Sequence, residues 1–320
     1  VILVGHSLGG MNLGLAMQKY PQKIYVAVFL TAFMPDYVHI SSYVLDQLKD
    51  KKKTQGQKME VMKKHFILVH GACHGSWCWY KLKPLLEAAG HTVTALDMAA
   101  SGIDLRKIEE LRKLDDYTVP LMEFMESLPQ EDKVILVGHS YGGMNLGLAM
   151  EKYPKKIFAA VFLTALMPDS VHMSSYVLDQ YFERTPTKNW LDTQFGSYGS
   201  PEEPLPSIFF GPKFLAYNLY QLCSPEDVAL ASTLIRPSSL FIEDLSKAKY
   251  FTDEGYGSVK KVYIICTEDK VFPKEFQQWL IDNIGSVIEA KEIKGADHMA
   301  MLCMPKQLCD TLLEIAHKYN

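Results

Sequence analysis

Three residue types at three strand ends could do acyl-transfer chemistry. Val134–Val137 is a run of β-formers that leads straight into Gly138-His139-Ser140-Tyr141-Gly142. A helical apolar pattern (Met144, Leu148, Ala149, Tyr153) follows it. Strand, G-x-S-x-G and helix in that order predict a nucleophile elbow. The serine sits on a sharp, strained turn, and the flanking positions have room only for glycine. A serine hydroxyl needs a base to take its proton and an acid to orient that base. In this kind of sheet they follow in the order Ser, acid, His. Val262–Cys266 ends in Thr267-Glu268-Asp269, and Ile288–Ile293 ends in Lys294-Gly295-Ala296-Asp297-His298. The expected set is therefore Ser140, Asp269 and His298, with Glu268 left open as an alternative acid. Asp297 reads as a turn residue, because adjacent side chains on a turn diverge.

A tetrahedral intermediate also needs preorganised donors for its oxyanion. The N–H of Tyr141, just after the nucleophile, is one candidate. The other is Ala72, in the loop His70-Gly71-Ala72-Cys73-His74-Gly75 after the first expected strand, His65–Val69. His139 and His74 read as structural or pocket-lining rather than catalytic.

The elements that must position these groups alternate. Strands are expected at His65–Val69, Thr92–Leu96, the elbow strand, Ile157–Leu166, Lys261–Cys266 and Ile288–Ile293. Helices are expected at Trp77–Ala89, over most of Leu105–Leu128 with a break near Asp115–Asp116, and at Pro273–Asn283 and Pro305–Lys318. Such alternation predicts an α/β fold with a doubly wound, mostly parallel sheet. Between about residues 167 and 249 the rhythm gives way to Pro, Gly and aromatic residues, which reads as a cap inserted over the open end of the sheet.

Residues 1–47 repeat residues 134–180 at a constant offset of 133, with 39 identities in 47 positions. Surface residues are kept along with apolar ones, so this reads as a recent partial duplication or a misjoined gene model rather than a divergent structural repeat. The copy carries Gly5-His6-Ser7-Leu8-Gly9 but no acid, histidine or oxyanion loop of its own. Residues 1–58, including a charged linker, are therefore expected to be non-functional, and 59–320 to form the hydrolase domain. Met59 and Met62 each sit just before the first strand that the domain needs.

Composition narrows the class. Apolar residues at 48% and charged residues at 22% fit a globular chain with a sizeable core. A net charge of −4 with no long basic run outside Lys49–Lys53 argues against nucleic acid. No apolar run is long enough to span a bilayer, and no secretory leader is expected. The six cysteines lack zinc spacing and read as reduced thiols of a cytoplasmic protein. No cofactor or metal is needed for the chemistry.

The motifs His-Gly-Ala-Cys-His-Gly-Ser-Trp (70–77), Leu-Lys-Pro-Leu-Leu-Glu-Ala-Ala-Gly-His (82–91), Thr-Ala-Leu-Asp-Met-Ala-Ala-Ser-Gly (94–102), Gly-His-Ser-Tyr-Gly-Gly (138–143) and Gly-Ala-Asp-His-Met (295–299) resemble the plant methylesterase and hydroxynitrile lyase family of α/β-hydrolases. Within it the chain is most similar to the salicylic-acid-binding methyl salicylate esterases. The resemblance covers about residues 63–320. It implies a triad of Ser140, Asp269 and His298, oxyanion donors at Ala72 and Tyr141, and an aromatic cap pocket for small esters. Methyl salicylate, methyl jasmonate and methyl indole-acetate are the implied type. His74, Trp190, Phe209, Phe214 and Met299 are the expected pocket residues. The lyase branch carries a threonine and a lysine where this chain has Gly71 and Met299, which favours ester hydrolysis. A hormone receptor with weak catalysis and a lyase are the rival readings. The expected partners are a small-molecule ester and its acid product, with homodimerisation left open.

Overall fold

The computed structural model describes residues 2–7, 13, 16, 17, 19–24, 26–32, 63–284 and 287–319. The chain divides into two compact units, Val1–Glu60 and Val61–Asn320. In the first, β1 (Ile2–Ser7) and β2 (Val26–Ala32) form a two-stranded parallel sheet. The linker reading of residues 48–58 lies outside the described residues.

The second unit follows the expected alternation. Its elements are β3 (His65–Val69), α1 (Leu82–Ala88), β4 (Thr92–Leu96), α2 (Leu114–Ser127), β5 (Val134–Ser140), α3 (Gly142–Lys152) and β6 (Ile157–Ala165). After the cap come β9 (Lys261–Cys266), α6 (Lys274–Asn283), β10 (Val287–Ile293), the short α7 (Ala300–Cys303) and α8 (Pro305–Lys318). The six strands pair in parallel in the order β10-β9-β6-β5-β3-β4. Val134–Val137 are all buried, as a central strand covered on both faces by helices requires. The edge strand β10 alternates exposed and half-buried positions instead. The six-stranded sheet begins with β3, next to one edge; the chain goes out to β4 at that edge and returns to β5 on the other side of β3. The strand order therefore reverses between β3 and β5, the place where open α/β sheets bind ligands. Ala72 follows β3 and Ser140 ends β5, so both sit at this switch point.

Two helix boundaries differ from expectation. The helix expected over Trp77–Ala89 is a 3₁₀ turn, Ser76–Trp79, and then α1. Pro84 offers no N–H to the carbonyl of Tyr80 and crowds it, which separates the two pieces. Asp115 and Asp116 do not break a helix; they open α2. Asp116 accepts from the N–H groups of Arg112 and Lys113 at 2.9 and 3.0 Å, where a carboxylate suits the positive end of a helix.

The region expected as a cap holds α4 (Tyr176–Arg184), an antiparallel hairpin of β7 (Gln194–Ser200) and β8 (Glu203–Phe209), and α5 (Pro225–Leu234). The hairpin was not expected. Pro204 and Pro206 mask its strand character, and they are tolerated because each strand of a two-stranded ribbon has a free edge.

Candidate active site

The elbow between β5 and α3 has the geometry that its sequence demands. Ser140 stands at φ +53°. A Cβ on Gly142 would meet the carbonyl oxygens of Val69 and His70 at 2.7 Å each. Only glycine lets α3 start this close to the end of β3.

Asp269 and His298 meet across the ends of β9 and β10. His298 Nδ1 is 2.7 Å from Asp269 Oδ2, and both side chains are buried. Asp269 Oδ1 accepts the N–H groups of Val271 and Phe272 at 2.7 and 2.9 Å. With Nδ1–H directed at the carboxylate, the lone pair of Nε2 is left to act as a base. Among the described residues no hydrogen bond joins Ser140 Oγ to His298; such bonds often tighten only when substrate binds. Glu268 is exposed and does not touch His298, so the geometry selects Asp269 between the two carboxylates. Asp297 is buried but turned away, accepting from Leu222 and Met299 N–H.

Sequence reasoning missed Thr164. Its hydroxyl donates to Asp269 Oδ2 at 2.5 Å from a backbone at φ +36°. A lone hydroxyl in the otherwise apolar run of β6 was the available signal, since a buried polar group needs a partner.

Three buried histidines brace the site. His70 Nε2 accepts from Met98 N–H at 3.0 Å, so its proton is on Nδ1, which donates to the Gly71 carbonyl at 2.8 Å. His74 N–H reaches the same carbonyl at 3.4 Å. Fixing that carbonyl fixes the trans peptide, and the Ala72 N–H at its other end must point the opposite way. His74 Nε2 is 2.6 Å from the Tyr220 hydroxyl and Nδ1 is 2.9 Å from the Ala72 carbonyl, while its ring stacks on Trp77 and Tyr220. Burial pushes the His74 pKa down to about 3, so the ring is neutral. His139 Nε2 donates to the His298 carbonyl at 2.8 Å with the rings 4.6 Å apart. Burial, then the neighbouring His298, hold His139 far below the ordinary histidine range. His139 is therefore neutral.

Ala72, Ser140 and Tyr141 line one cavity of about 40 Å³, and neither Ala72 nor Tyr141 donates its N–H to another described group. Two unused donors beside a serine hydroxyl are what an oxyanion hole provides. Trp190, Phe210, Phe214, Tyr181 and Phe272 supply the aromatic walls. The expected wall residues Trp190 and Phe214 are thus on the cavity. Phe209 is not: it lies between Ile208 and Phe210, both of which line the cavity, and side chains alternate along an extended chain. His74 and Met299 are also corrections. His74 sits behind the Ala72 loop, and Met299 is fully buried off the cavity. A larger space of about 710 Å³ between α3 and the Thr252–Gly255 loop is lined mostly by polar and charged side chains and lies away from these groups.

Residues 66–311 match the alpha/beta hydrolase family. The chain is 80% identical over 257 residues to salicylic acid-binding protein 2 of Nicotiana tabacum, covering 80% of this chain and 98% of that protein. It belongs to the plant methylesterases. Methylesterase 1 of Arabidopsis thaliana is 54% identical over 263 residues, 81% of this chain and 98% of the relative. The crystal structure of polyneuridine aldehyde esterase superposes with a TM-score of 0.78 at 54% identity, covering 80% of this chain and all of that one. About a fifth of this methylesterase chain has no counterpart in these relatives. It is a serine esterase of the α/β-hydrolase fold.

Proposed function

We propose that this esterase hydrolyses methyl esters of small aromatic acids, methyl salicylate foremost, through an acyl-enzyme on Ser140. The observation that carries the reading is the buried His298–Asp269 pair, 2.7 Å apart, at the same sheet end as the strained Ser140. His298 Nε2 takes the hydroxyl proton as Ser140 Oγ attacks the ester carbonyl. The N–H groups of Ala72 and Tyr141 receive the oxyanion. Methanol leaves with the proton from His298, and a water molecule, deprotonated by the same nitrogen, releases the acid. Asp269, held by Thr164 and two backbone N–H groups, keeps the imidazolium in place without taking its proton. Each oxyanion donor accounts for about 10²–10³ in rate. Aromatic walls and a narrow cavity favour a flat ring over a long chain.

The name of the tobacco relative, a salicylic acid-binding protein, supports a second reading, in which the acid product is held under the cap. A lyase is disfavoured. A Cβ at Gly71 would meet Ser140 Cβ at 2.8 Å, so the threonine of that branch needs a shifted loop, and Met299 supplies no cation. Six free thiols fit a reducing, cytoplasmic setting. The test is hydrolysis of methyl salicylate and p-nitrophenyl acetate by the wild type and Ser140→Ala. Turnover of both esters, lost together in the variant, is expected. Turnover surviving Ser140→Ala sinks the mechanism, and failure on methyl salicylate alone sinks the substrate.

A further inference from the structure

Cys223, Asp297 and Cys303 are far apart in sequence and are brought together behind the His298 loop. Their Sγ, carboxylate and Sγ atoms all lie within 4.8 Å of one another. Cys223 Sγ is 3.5 Å from Asp297 Oδ2 and 3.8 Å from Oδ1. With Zn–S near 2.3 Å and Zn–O near 2.0 Å, a tetrahedral ion separates sulfur and oxygen by roughly 3.5 Å. Asp297 is fully buried and already orders the loop, accepting Leu222 N–H at 2.8 Å and Met299 N–H at 2.9 Å. Each of its oxygens keeps a further lone pair. Cys303 also lines an open surface groove of about 340 Å³, which gives an ion a path inward. The other four cysteines are buried.

We propose that Cys223, Asp297 and Cys303 form a binding site for a thiophilic divalent cation of the zinc class, with water as fourth ligand. Binding forms two metal–sulfur bonds and one metal–oxygen bond and releases the two thiol protons to solvent. The bound site then carries the same single negative charge that the carboxylate has alone, so occupancy adds no net charge beside His298. Its effect is mechanical. Cys223 belongs to the cap, whereas Asp297 and Cys303 flank the loop with His298 and Met299. An ion between them ties the cap to that loop, and the cavity beneath, at about 40 Å³, needs cap movement to admit an ester. Only this effect on turnover rests on reading His298 as the base.

The test uses the full chain, kept reduced by a phosphine. Co²⁺ is titrated in and thiolate-to-cobalt charge-transfer absorption is read, then displaced with Zn²⁺. One equivalent is expected. Cys223→Ser and Cys303→Ser should each weaken binding by more than about 100-fold, beyond the loss of an outer-shell partner. Absence of the band, or its survival in both variants, overturns the site. Should the variants misfold, the wild type still decides. Saturating Zn²⁺ must protect Cys223 and Cys303 from alkylation, read residue by residue by mass spectrometry, and lack of protection overturns the site. In hydrolysis assays Zn²⁺ should lower wild-type turnover while Cys223→Ser escapes. Equal inhibition of both overturns the tie between cap and loop. Failure of the methyl ester reading would leave the absorption and alkylation results untouched.

Discussion

The two copies of the elbow sequence make the same strand pairing among the described residues and differ in what surrounds it. In β1 and β2 the pairs run from Ile2 with Val26 to His6 with Leu30, and then Ser7 pairs with Ala32 after a skip. In β5 and β6 the pairs run from Ile135 with Ala159 to His139 with Leu163, and Ser140 pairs with Ala165 after the same skip. Thus 39 shared residues in 47 fix the strand pairing down to its irregularity. The surroundings are not shared. Ile2 and Val4 are 64% and 58% exposed, whereas their counterparts Ile135 and Val137 are fully buried. The strand β5 lies between β3 and β6, and β1 pairs with β2 alone among the described residues. A two-stranded sheet by itself is marginal in water. The lesson is that an elbow is not an active site. Asp269, His298, Ala72 and the cavity walls around Phe210 and Phe272 all come from outside the duplicated stretch.

That contrast can be tested in descending order of effect. Ser140→Ala should cost about 10⁴-fold or more in kcat, as for loss of a triad member. Ser7→Ala should leave steady-state kinetics with p-nitrophenyl acetate unchanged. A loss caused by Ser7→Ala would mean that the first copy does the chemistry. The next pair is Thr164→Val and Thr31→Val, the same residue in the two copies. Removing a hydrogen bond to a buried carboxylate costs about 1.5–3 kcal/mol, so Thr164→Val should lower kcat by roughly 10–100-fold with little change in KM. Thr31→Val should do nothing, and equal kinetics for both variants would remove Thr164 from the site.

The third comparison is one of pH. His74 has its pKa pushed down to about 3 by burial, whereas the same side chain in an unfolded chain titrates near 6.5. Between those values the unfolded chain binds the extra proton, so folding stability falls as pH falls, by about 1.4 kcal/mol per unit for this one group. It is fully present above about pH 6.5. Urea midpoints measured from pH 7 down to pH 4 should fall more steeply than this for the second unit, because buried His139 and His70 are held low in the same way. His74→Gln should make the slope shallower by the share of one proton, and an unchanged slope would contradict a neutral, buried His74. The smallest effect is expected from deleting residues 1–58. Turnover should stay within about twofold, because Ser140, Asp269, His298, Ala72 and the cavity walls all belong to the second unit. A collapse in soluble yield or rate would show that the duplicate is integrated.

The succession of strands and helices, and the contact between residues at the ends of β9 and β10, were legible in the sequence. Continuous apolar runs mark buried parallel strands, and G-x-S-x-G has a steric reason to exist. What was not legible depended on parity and on distance. Phe209 and Phe210 are equivalent in composition, and only the register of an unforeseen hairpin decides which faces the cavity. Thr164 and Asp269 are 105 positions apart, and no local pattern links them. His74 looked like a wall residue because its loop was placed correctly, but its ring is engaged by Tyr220 from the cap.

One further consequence follows from the backbone of Ser140. A positive φ at a residue with a Cβ costs about 1–2 kcal/mol, a substantial part of the 5–15 kcal/mol by which domains usually hold together. Glycine would adopt the same turn with less strain. The esterase therefore keeps, at its most central position, a residue that makes the fold weaker than it could be. On the proposed mechanism, selection for stability and selection for turnover pull in opposite directions there, and a screen for heat resistance alone would tend to discard Ser140.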